Sequence, residues 1–513
     1  MSNQPNITNN WLDKAIAFIS PRAGAQRIKH RAAALLLAQQ VRRYDAAGHG
    51  RRTTGWYAPG SSAQTEVQNA ITYLRNRSRE MCRNNPYAEN AVKEIANNTI
   101  GTGIIPKAIE LSKLQTRRLK TAWANWADST TCDYDGHTNL YGLQHLAVRT
   151  LAESGECIIR KHTMPGSTIP LQLQVLEGDY IDTTKHSLQQ NGTDNYILYG
   201  IEFNSNHKVV AYWLYQSHPG DAVNFNTSLI SNRIPAEEII YLFEKKRPGQ
   251  FRGVPMGHAA MLRLKDFEEY EDAQLIRQKI AACFSVFVTD TDNSGTIAAA
   301  GKAEADRIEK VEPGIIEYLP PGKQVTMANP PDAGANYEPY TKTVLRGVAV
   351  GYGMDYVTLT GDYTAVNYSS GRMGWLKFQR NIDVLQWNMV IPQMCNKMWQ
   401  WFIQAANIMG YIKQDAVAVR WTPPRRQMID PVRETEGLEK SVRAGFTSWP
   451  EAIRQNGDDP DEVFNEMIEA AKQFDAASLM PTTDPRYDAN RKNPDAQQTG
   501  TQATGTKATG KQA

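Results

Sequence analysis

The sequence predicts an α+β protein, on three observations. Long apolar stripes at helix spacing run from His258 to Phe287 and from Arg372 to Ala406. Between Cys157 and Phe243 the pattern changes to short β-branched and aromatic segments that partly alternate, as antiparallel strands do. A smaller helical pattern, Glu434 to Phe474, follows the second stripe. The chain has 513 residues, 41% of them hydrophobic, enough for roughly three domains on ordinary domain sizes.

The first segment is basic. Eight Lys or Arg residues face one acid, Asp45, between Arg22 and Arg52, with an Ala/Leu helix pattern from Ala32 to Val41. Such an arm suits nucleic acid or an acidic neighbour, and equally a solvated run on the protein's own surface. Gln64 to Asn98 reads as helical. Its arginines Arg75, Arg77, Arg79 and Arg83 fan around the helix, so some must meet acids or solvent. Asn85 ends that helix, and Pro86 opens a second with Ala91, Val92, Ile95 and Ala96 facing inward. The Gly-x-Gly at Gly101 lacks both a third glycine and a preceding strand, so it reads as a turn.

Strands are expected at Leu171 to Leu176, Tyr196 to Phe203 and Val209 to Tyr215, the last two joined by a hairpin turn at Asn204 to His207. A Gly/Pro-punctuated connector, Glu244 to Pro255, leads to the helix His258 to Phe287, about 45 Å long at the standard rise. Met261, Leu264, Phe267, Ile276, Ile280, Cys283, Phe284 and Phe287 form its stripe. Asp266, Glu268, Glu269, Glu271 and Asp272 crowd one part of it. The Gly/Pro/Ala-rich stretch Thr289 to Pro339 carries an expected strand, Ile315 to Leu319, and a turn, Pro320 to Lys323. From Tyr340 to Met354 a helix buries Val344, Leu345, Val348, Ala349 and Tyr352, and Gly351 and Gly353 weaken it where the pattern stops. A polar loop, Asp355 to Gly371, follows, with Ser369 or Ser370 as the expected N-cap of a helix from Arg372. That helix carries Met373, Leu376, Ile382, Leu385, Met389, Met394, Met398 and Phe402, and Pro392 should kink or break it. Asp430-Pro431 starts the last helical module, where Asp458 to Asp461 cap a final helix. Pro481 to Ala513 is almost free of large apolar residues and repeats Ala-Thr-Gly, so disorder is expected.

The net charge of +3 is near balance, so any basic surface is local. Five scattered cysteines with no Cys-x-x-Cys pair suggest neither a disulfide framework nor a zinc site, and reduced, mostly buried thiols are expected. The polar start and the lack of a bilayer-length apolar run lead to the expectation of a soluble intracellular protein. There is no phosphate-cradling Gly-x-x-x-x-Gly-Lys-Ser/Thr, no His-Glu-x-x-His and no Gly-x-Ser-x-Gly. Asp290 to Gly295 starts like a calcium loop, but Gly301 stands where the twelfth-position glutamate is needed. His137 and His145 lie near Asp133, Asp135 and Glu153, a spacing too loose to mark a metal site. No catalytic residue, metal or cofactor is expected.

Several stretches together resemble the lambda-type portal, or head-to-tail connector, proteins of tailed bacteriophages. They are Arg77 to Pro86 with Ile100 to Gly103; Glu153 to Glu156; Arg247 to Pro255; Tyr270 to Ala273; Leu359 to Tyr363 with Asn367 to Arg372; and Asp430-Pro431. They fall in order over about residues 50 to 475, and the order is what makes them specific. The resemblance implies a phage portal fold: a β-rich wing, a long helical stem, a small clip, a long kinked helix and a helical crown. On it, 1–55 is a basic arm, 56–256 the wing, 257–288 and 337–354 the stem helices, and 289–336 the clip. Residues 355–371 are the channel loop, 372–430 the kinked helix and wing return, 431–480 the crown and 481–513 a tail.

The resemblance further implies a homo-oligomeric ring of about twelve chains, closed by heterologous contacts, at one capsid vertex. DNA would pass through it, driven by a separate terminase, with capsid, scaffold and head-tail adaptor proteins as further partners and no membrane. Assembly would occur in the host cytoplasm before the ring resides in the virion. Expected DNA-facing residues are Asp362, Tyr363, Asn367, Tyr368 and Arg372 in the channel loop. The stem acids Asp266, Glu268, Glu269, Glu271 and Asp272 either line the channel or pair with a neighbouring chain. Glu317, Tyr318 and Lys323 in the clip are expected to meet partners. A DNA-binding or nuclease-like DNA-processing phage protein is the alternative reading.

Overall fold

The computed structural model describes residues 53–187, 194–221, 230–282, 286–290, 323–327, 337–426 and 428–479, with isolated positions nearer both ends. The chain divides into two compact units, Met1–Ser62 and Ala63–Ala513. In the first, described positions between residues 16 and 30 are mostly helical. The Ala32 to Val41 pattern, the calcium-like stretch beyond its first residue Asp290 and most of the tail lie outside the described residues.

The second unit opens with two helices, α1 (Ala63–Asn84) and α2 (Pro86–Ile100). Asn85 separates them as expected: its side chain accepts from the Tyr87 and Ala88 amides while Pro86 occupies the first turn, where a missing N–H costs nothing. Ala91, Val92, Ile95 and Ala96 are all buried. Strand β1 (Ile105–Ala108) and helices α3 (Lys113–Ala127) and α4 (Leu140–Ser154) follow. Asp133 is spent on the turn between them, accepting from the Asp135, His137 and Thr138 amides, and His145 meets Asn97.

The β-rich region forms two antiparallel sheets. One has the order β3-β2-β8, from β2 (Glu156–His162), β3 (Gln172–Glu177) and β8 (Ile239–Phe243). The other is β4 (Tyr196–Leu198), β5 (Ile201–Phe203), β6 (Val209–Tyr215) and β7 (Ser231–Pro235), paired in sequence order. The Asn204 to His207 hairpin is present, with Asn204 accepting from the Asn206 and Lys208 amides. Tyr196 to Phe203 is not one strand. It folds back at Tyr199 (φ 50°) and Gly200 (φ 77°), the two left-handed residues that a tight hairpin needs.

Helix α5 (Met261–Ala282) is shorter than its apolar pattern, about 33 Å at the standard rise. Phe287 belongs instead to strand β9 (Val286–Asp290), paired antiparallel with β10 (Lys323–Met327), so Lys323 opens a strand rather than closing a turn. The expected strand Ile315 to Leu319, with Glu317 and Tyr318, lies outside the described residues. Helix α6 (Tyr337–Tyr352) buries Leu345, Val348, Ala349 and Tyr352, with Val344 packed alongside.

Beyond α6 the polar segment is less irregular than expected, since Asp355 caps a short helix α7 (Tyr356–Thr360). Helix α8 (Tyr368–Leu385) starts earlier than expected, with Asn367 as N-cap and Ser370 completing a reciprocal capping box. Pro392 does not break the helical run. The chain passes it as a π-helical stretch, Gln386–Cys395, whose wider turn accommodates a residue without an amide donor, and continues as α9 (Asn396–Ile408). Strand β11 (Val419–Thr422) pairs with β1, and three capped helices close the unit: α10 (Pro431–Arg443), α11 (Trp449–Gln455) and α12 (Pro460–Ala476). Asp430 and Asp459 are the caps of α10 and α12, each followed by proline.

Among the described residues three hydrophobic cores hold this unit together. The first joins α3, α4, the π-helical stretch and α9, where Trp123 and Phe402 each touch the rings of both Trp126 and Trp399 as well as each other. The second joins α2, α5, α6 and α8, and the third fills the space between the two sheets. Cys82, Cys132, Cys157 and Cys395 are buried and unpaired, as expected. No helix among the described residues is long and apolar enough to cross a membrane.

Candidate functional site

The segment 355–371 is held by its own polar side chains and by its two neighbours, α2 and α6. Asp355 accepts from the Thr358 amide and hydroxyl, which nucleates α7. Leu359 is buried, and Asn90 of α2 donates to the carbonyls of Thr358 (3.1 Å) and Leu359 (2.9 Å), two groups that the helix end leaves without partners. Gly361 (φ 69°) ends α7 in the left-handed conformation. The next turn is organised by Asp362. Its carboxylate accepts from the Thr364 hydroxyl (2.5 Å) and amide (3.1 Å) and from the Tyr356 hydroxyl (3.1 Å), with Lys342 of α6 at 3.8 Å. The Thr364 and Tyr356 hydrogen bonds hold its carboxyl below the usual aspartate range.

The residues expected to meet DNA divide between two roles. Tyr363, Asn367, Tyr368 and Arg372 come together around one open cleft of about 360 Å³, over which Trp375, Val366 and Ile429 supply an apolar floor. Asp362 is absent from that lining and serves the loop's own turn. Tyr363 is 70% exposed and Tyr368 44%. The Tyr368 hydroxyl accepts from Arg372 at 3.0 Å, and Arg372 also lies 3.9 Å from Glu434 of α10. The cleft therefore offers two exposed phenols and an arginine on a segment fixed at both ends. Asn90, Lys342 and Trp375 escaped sequence reasoning. Trp375 follows Arg372 by three residues on α8, a helical neighbour that the spacing could have supplied.

The five acids of α5 do not share one face. Phe267 and Leu264 point α5 into the core, leaving Asp266, Glu269 and Asp272 exposed on the opposite side. Glu268 is half-buried and paired with Lys265 at 3.2 Å. Glu271 sits beside Tyr337 of α6, and burial pushes its carboxyl up.

A second polar centre lies where three of the segments that carry the resemblance converge. Glu156, the first residue of β2, is fully buried and receives Arg252 Nε at 2.9 Å and Arg75 Nη1 at 2.9 Å. A second Arg252 nitrogen and the Tyr241 hydroxyl also donate to it. Arg75 reaches on to Asp179 (2.8 Å), which Arg79 also meets (2.7 Å), and Arg79 continues to Glu177 (3.1 Å). His218 Nε2 lies 3.1 Å from Glu177. Three carboxylates and three guanidiniums are thus interleaved. Glu177, Asp179 and His218 are close enough together to ligate a cation, but Arg79 already occupies the space between the two carboxylates. Burial alone would raise the Glu156 carboxyl, yet Arg252 and Arg75 hold it below its ordinary value. The backbone is packed as tightly. Gly155 (φ 86°) ends α4 against the backbone of Val254 and Pro255, and Gly253 faces the Gly155 carbonyl, so a Cβ at either position would overlap main chain. The fan of arginines on α1 was legible in sequence, but their acids were not.

A family model described as "Phage portal protein, lambda family" matches residues 49–386. Curated relatives include the "Probable portal protein" of Halomonas phage phiHAP-1, 27% identical over 418 residues that cover 78% of this chain and 80% of that protein. The "Portal protein" of Escherichia phage N15 is 21% identical over 492 residues, and "Portal protein B" of Escherichia phage lambda 19% over 490, each covering 85% of this chain and 90% of the relative. Among solved structures, the neck of a native gene transfer agent particle, computed with C12 symmetry, is 16% identical at a TM-score of 0.45 and covers 78% of this chain and 95% of that one.

Proposed function

The chain belongs to the lambda family of phage portal proteins, and we propose that its copies close into a ring at the head-tail vertex of a virion, with a central channel for double-stranded DNA. The observation that carries this reading is the family match itself, which spans residues 49–386 and so takes in the loop and α8. Its part is structural rather than catalytic. By the same resemblance the ring docks a terminase motor during packaging, and adaptor proteins of the neck afterwards.

The segment 355–371 is the channel loop of that ring. What supports this is a combination of rigid anchoring and low positive charge. A channel that neutralised many phosphates would hold DNA rather than pass it. The cleft offers Arg372 as its one cation, already shared with Tyr368 and Glu434, beside neutral Tyr363 and Asn367. Contacts of this kind are weak, and they do not read base sequence.

Negative-stain electron microscopy of the purified full-length chain, with mass measured on the same preparation, tests the reading. Closed rings with a central hole are expected. A chain that stays monomeric even with its scaffold and capsid proteins would overturn it.

A further inference from the structure

Two helices of the layer each carry an apolar ridge that is exposed among the described residues. On α5, Leu262 (76% exposed) and Ile276 (56%) flank the exposed acids Asp266, Glu269 and Asp272. On α8, Met373 (71%), Leu376 (51%) and Val384 (54%) flank the exposed cations Lys377 and Arg380, and Trp387 (49%) continues the ridge. Ile276, Met373 and Leu376 belong to the apolar stripes of their helices, yet among the described residues no element covers them. Among the described residues no ion pair is formed by Asp266, Glu269, Asp272, Lys377 or Arg380.

Within the layer α5 packs on α1 and α6, whereas α8 packs on α2 and α7, and these inner helices pair α1 with α2 and α6 with α7. The two exposed ridges therefore lie on helices that pack on different partners. That is the arrangement a head-to-tail ring requires, because each chain must present one surface to the neighbour on its left and a different one to its right.

Resting on the ring reading above, we propose that the acidic ridge of α5 in one copy docks on the basic ridge of α8 in the next. The ridges match in length and in the placing of two charges, while at the third place Asp272 of α5 corresponds to Asp383 of α8, whose charge Arg426 already meets. From Leu262 the acids come four and seven residues later, at Asp266 and Glu269, and from Met373 the cations come four and seven residues later, at Lys377 and Arg380. Each ridge ends on a large apolar residue fourteen positions on, Ile276 and Trp387, a span of about 21 Å at the helical rise. Apolar ends bury one another while opposite charges meet between them, which fixes register and rejects the like-charged pairing of two α5 ridges. Asp266 and Glu269 thus serve the contact between chains, whereas Glu268 pairs with Lys265 of its own chain.

Charge reversal tests the pairing. Lys377→Glu with Arg380→Glu, and separately Asp266→Lys with Glu269→Lys, should each abolish rings in negative stain, because every junction then opposes like charges. The four substitutions together should restore rings, since each junction regains opposite signs. All these sites are exposed, so the circular dichroism spectrum should stay near wild type in every variant, while the melting temperature should fall with the loss of rings and recover in the fourfold variant. Rings that persist in both reversed variants, or a fourfold variant that stays monomeric, would overturn the pairing while wild-type rings leave the portal reading intact. A wild-type chain without rings even in the presence of its scaffold and capsid proteins would overturn both.

Discussion

Arg252 and Glu156 are both fully buried and are joined by two hydrogen bonds, one of them from Nε at 2.9 Å, although 96 residues separate them in the chain. The pair ties the connector before α5 to the first residue of β2, and Arg75 brings α1 to the same carboxylate. Removing one member strands the others. Glu156→Gln leaves Arg252 and Arg75 short of one negative charge in a site without solvent, a change that costs about 3–5 kcal/mol. Denaturant unfolding of the full chain should give a loss of that size. Replacing Glu156 and Arg252 together with methionine should cost less than the two single changes added, because the double change leaves no charge opposite a vacancy.

The same network sets the acid limit of the fold. Burial raises the Glu156 carboxyl, but Arg252 and Arg75 outweigh it and the folded value lies below the unfolded one of about 4.5. Asp179, raised by burial but lowered further by Arg75 and Arg79, is displaced the same way from 3.8. For such groups the unfolded state binds protons first, so their stabilisation is complete above the unfolded value and is lost as pH falls through the folded one. Glu153, raised by burial, has the opposite slope, but it is common to wild type and variant and cancels in the comparison. Wild type should therefore lose stability more steeply than Glu156→Gln as pH drops below about 4.5. Equal slopes in a pH series of unfolding curves would remove Glu156 from the account.

Gly253→Ala and Gly155→Ala examine the backbone of this junction. A Cβ on Gly253 would strike the Gly155 carbonyl, and one on Gly155 would strike the main chain of Val254 in a conformation that is also left-handed. Neither neighbour is the flexible end of a side chain, so the backbone itself must shift. Each substitution should cost at least about 1–3 kcal/mol. A melting temperature within a degree of wild type would show that the connector gives way more easily than its packing suggests.

What the sequence reveals depends on how far apart the interacting residues lie. Asn85 and Pro86 mark a helix junction because the cap and the missing donor act within one turn, and Ala91, Val92, Ile95 and Ala96 mark a buried face because one helix repeats them. The turn at Tyr199-Gly200 escaped notice because Tyr199 gives no local sign of its positive φ. The partnership of Arg75, Glu156 and Arg252 has no local sign at all, since three separate elements must meet before it exists. Met373 and Leu376 read as core because periodicity reports that a residue is apolar, not what will cover it. Of the loop, the polar composition was legible and the anchors were not, because Asn90 and Lys342 reach it from other helices.

Asn90→Ala tests one of those anchors. The substitution removes the donor to the Thr358 and Leu359 carbonyls and should cost about 1–2 kcal/mol, concentrated at the end of α7. Hydrogen exchange should quicken at residues 356–362 and stay unchanged in α3 and α9, which belong to the first core. Uniform quickening across the unit would mean that Asn90 supports the whole helical layer instead.

Tyr363 and Asp362 are adjacent, yet they should fail differently. Tyr363 is largely exposed and lines the cleft, so Tyr363→Ala should leave ring assembly and melting temperature as they are. If its phenol touches DNA in transit, one lost contact is worth roughly 0.5–1.5 kcal/mol, a change of about two- to tenfold in packaging rate. Asp362→Ala removes the acceptor for Thr364 and Tyr356, so the turn should loosen before any DNA is present. Its signature is faster hydrogen exchange at residues 362–366 in the free ring, accompanied by a packaging defect. A Tyr363→Ala ring that packages DNA at the wild-type rate, measured in parallel with a defective Asp362→Ala ring, would show that the shape of the loop matters and the exposed phenol does not.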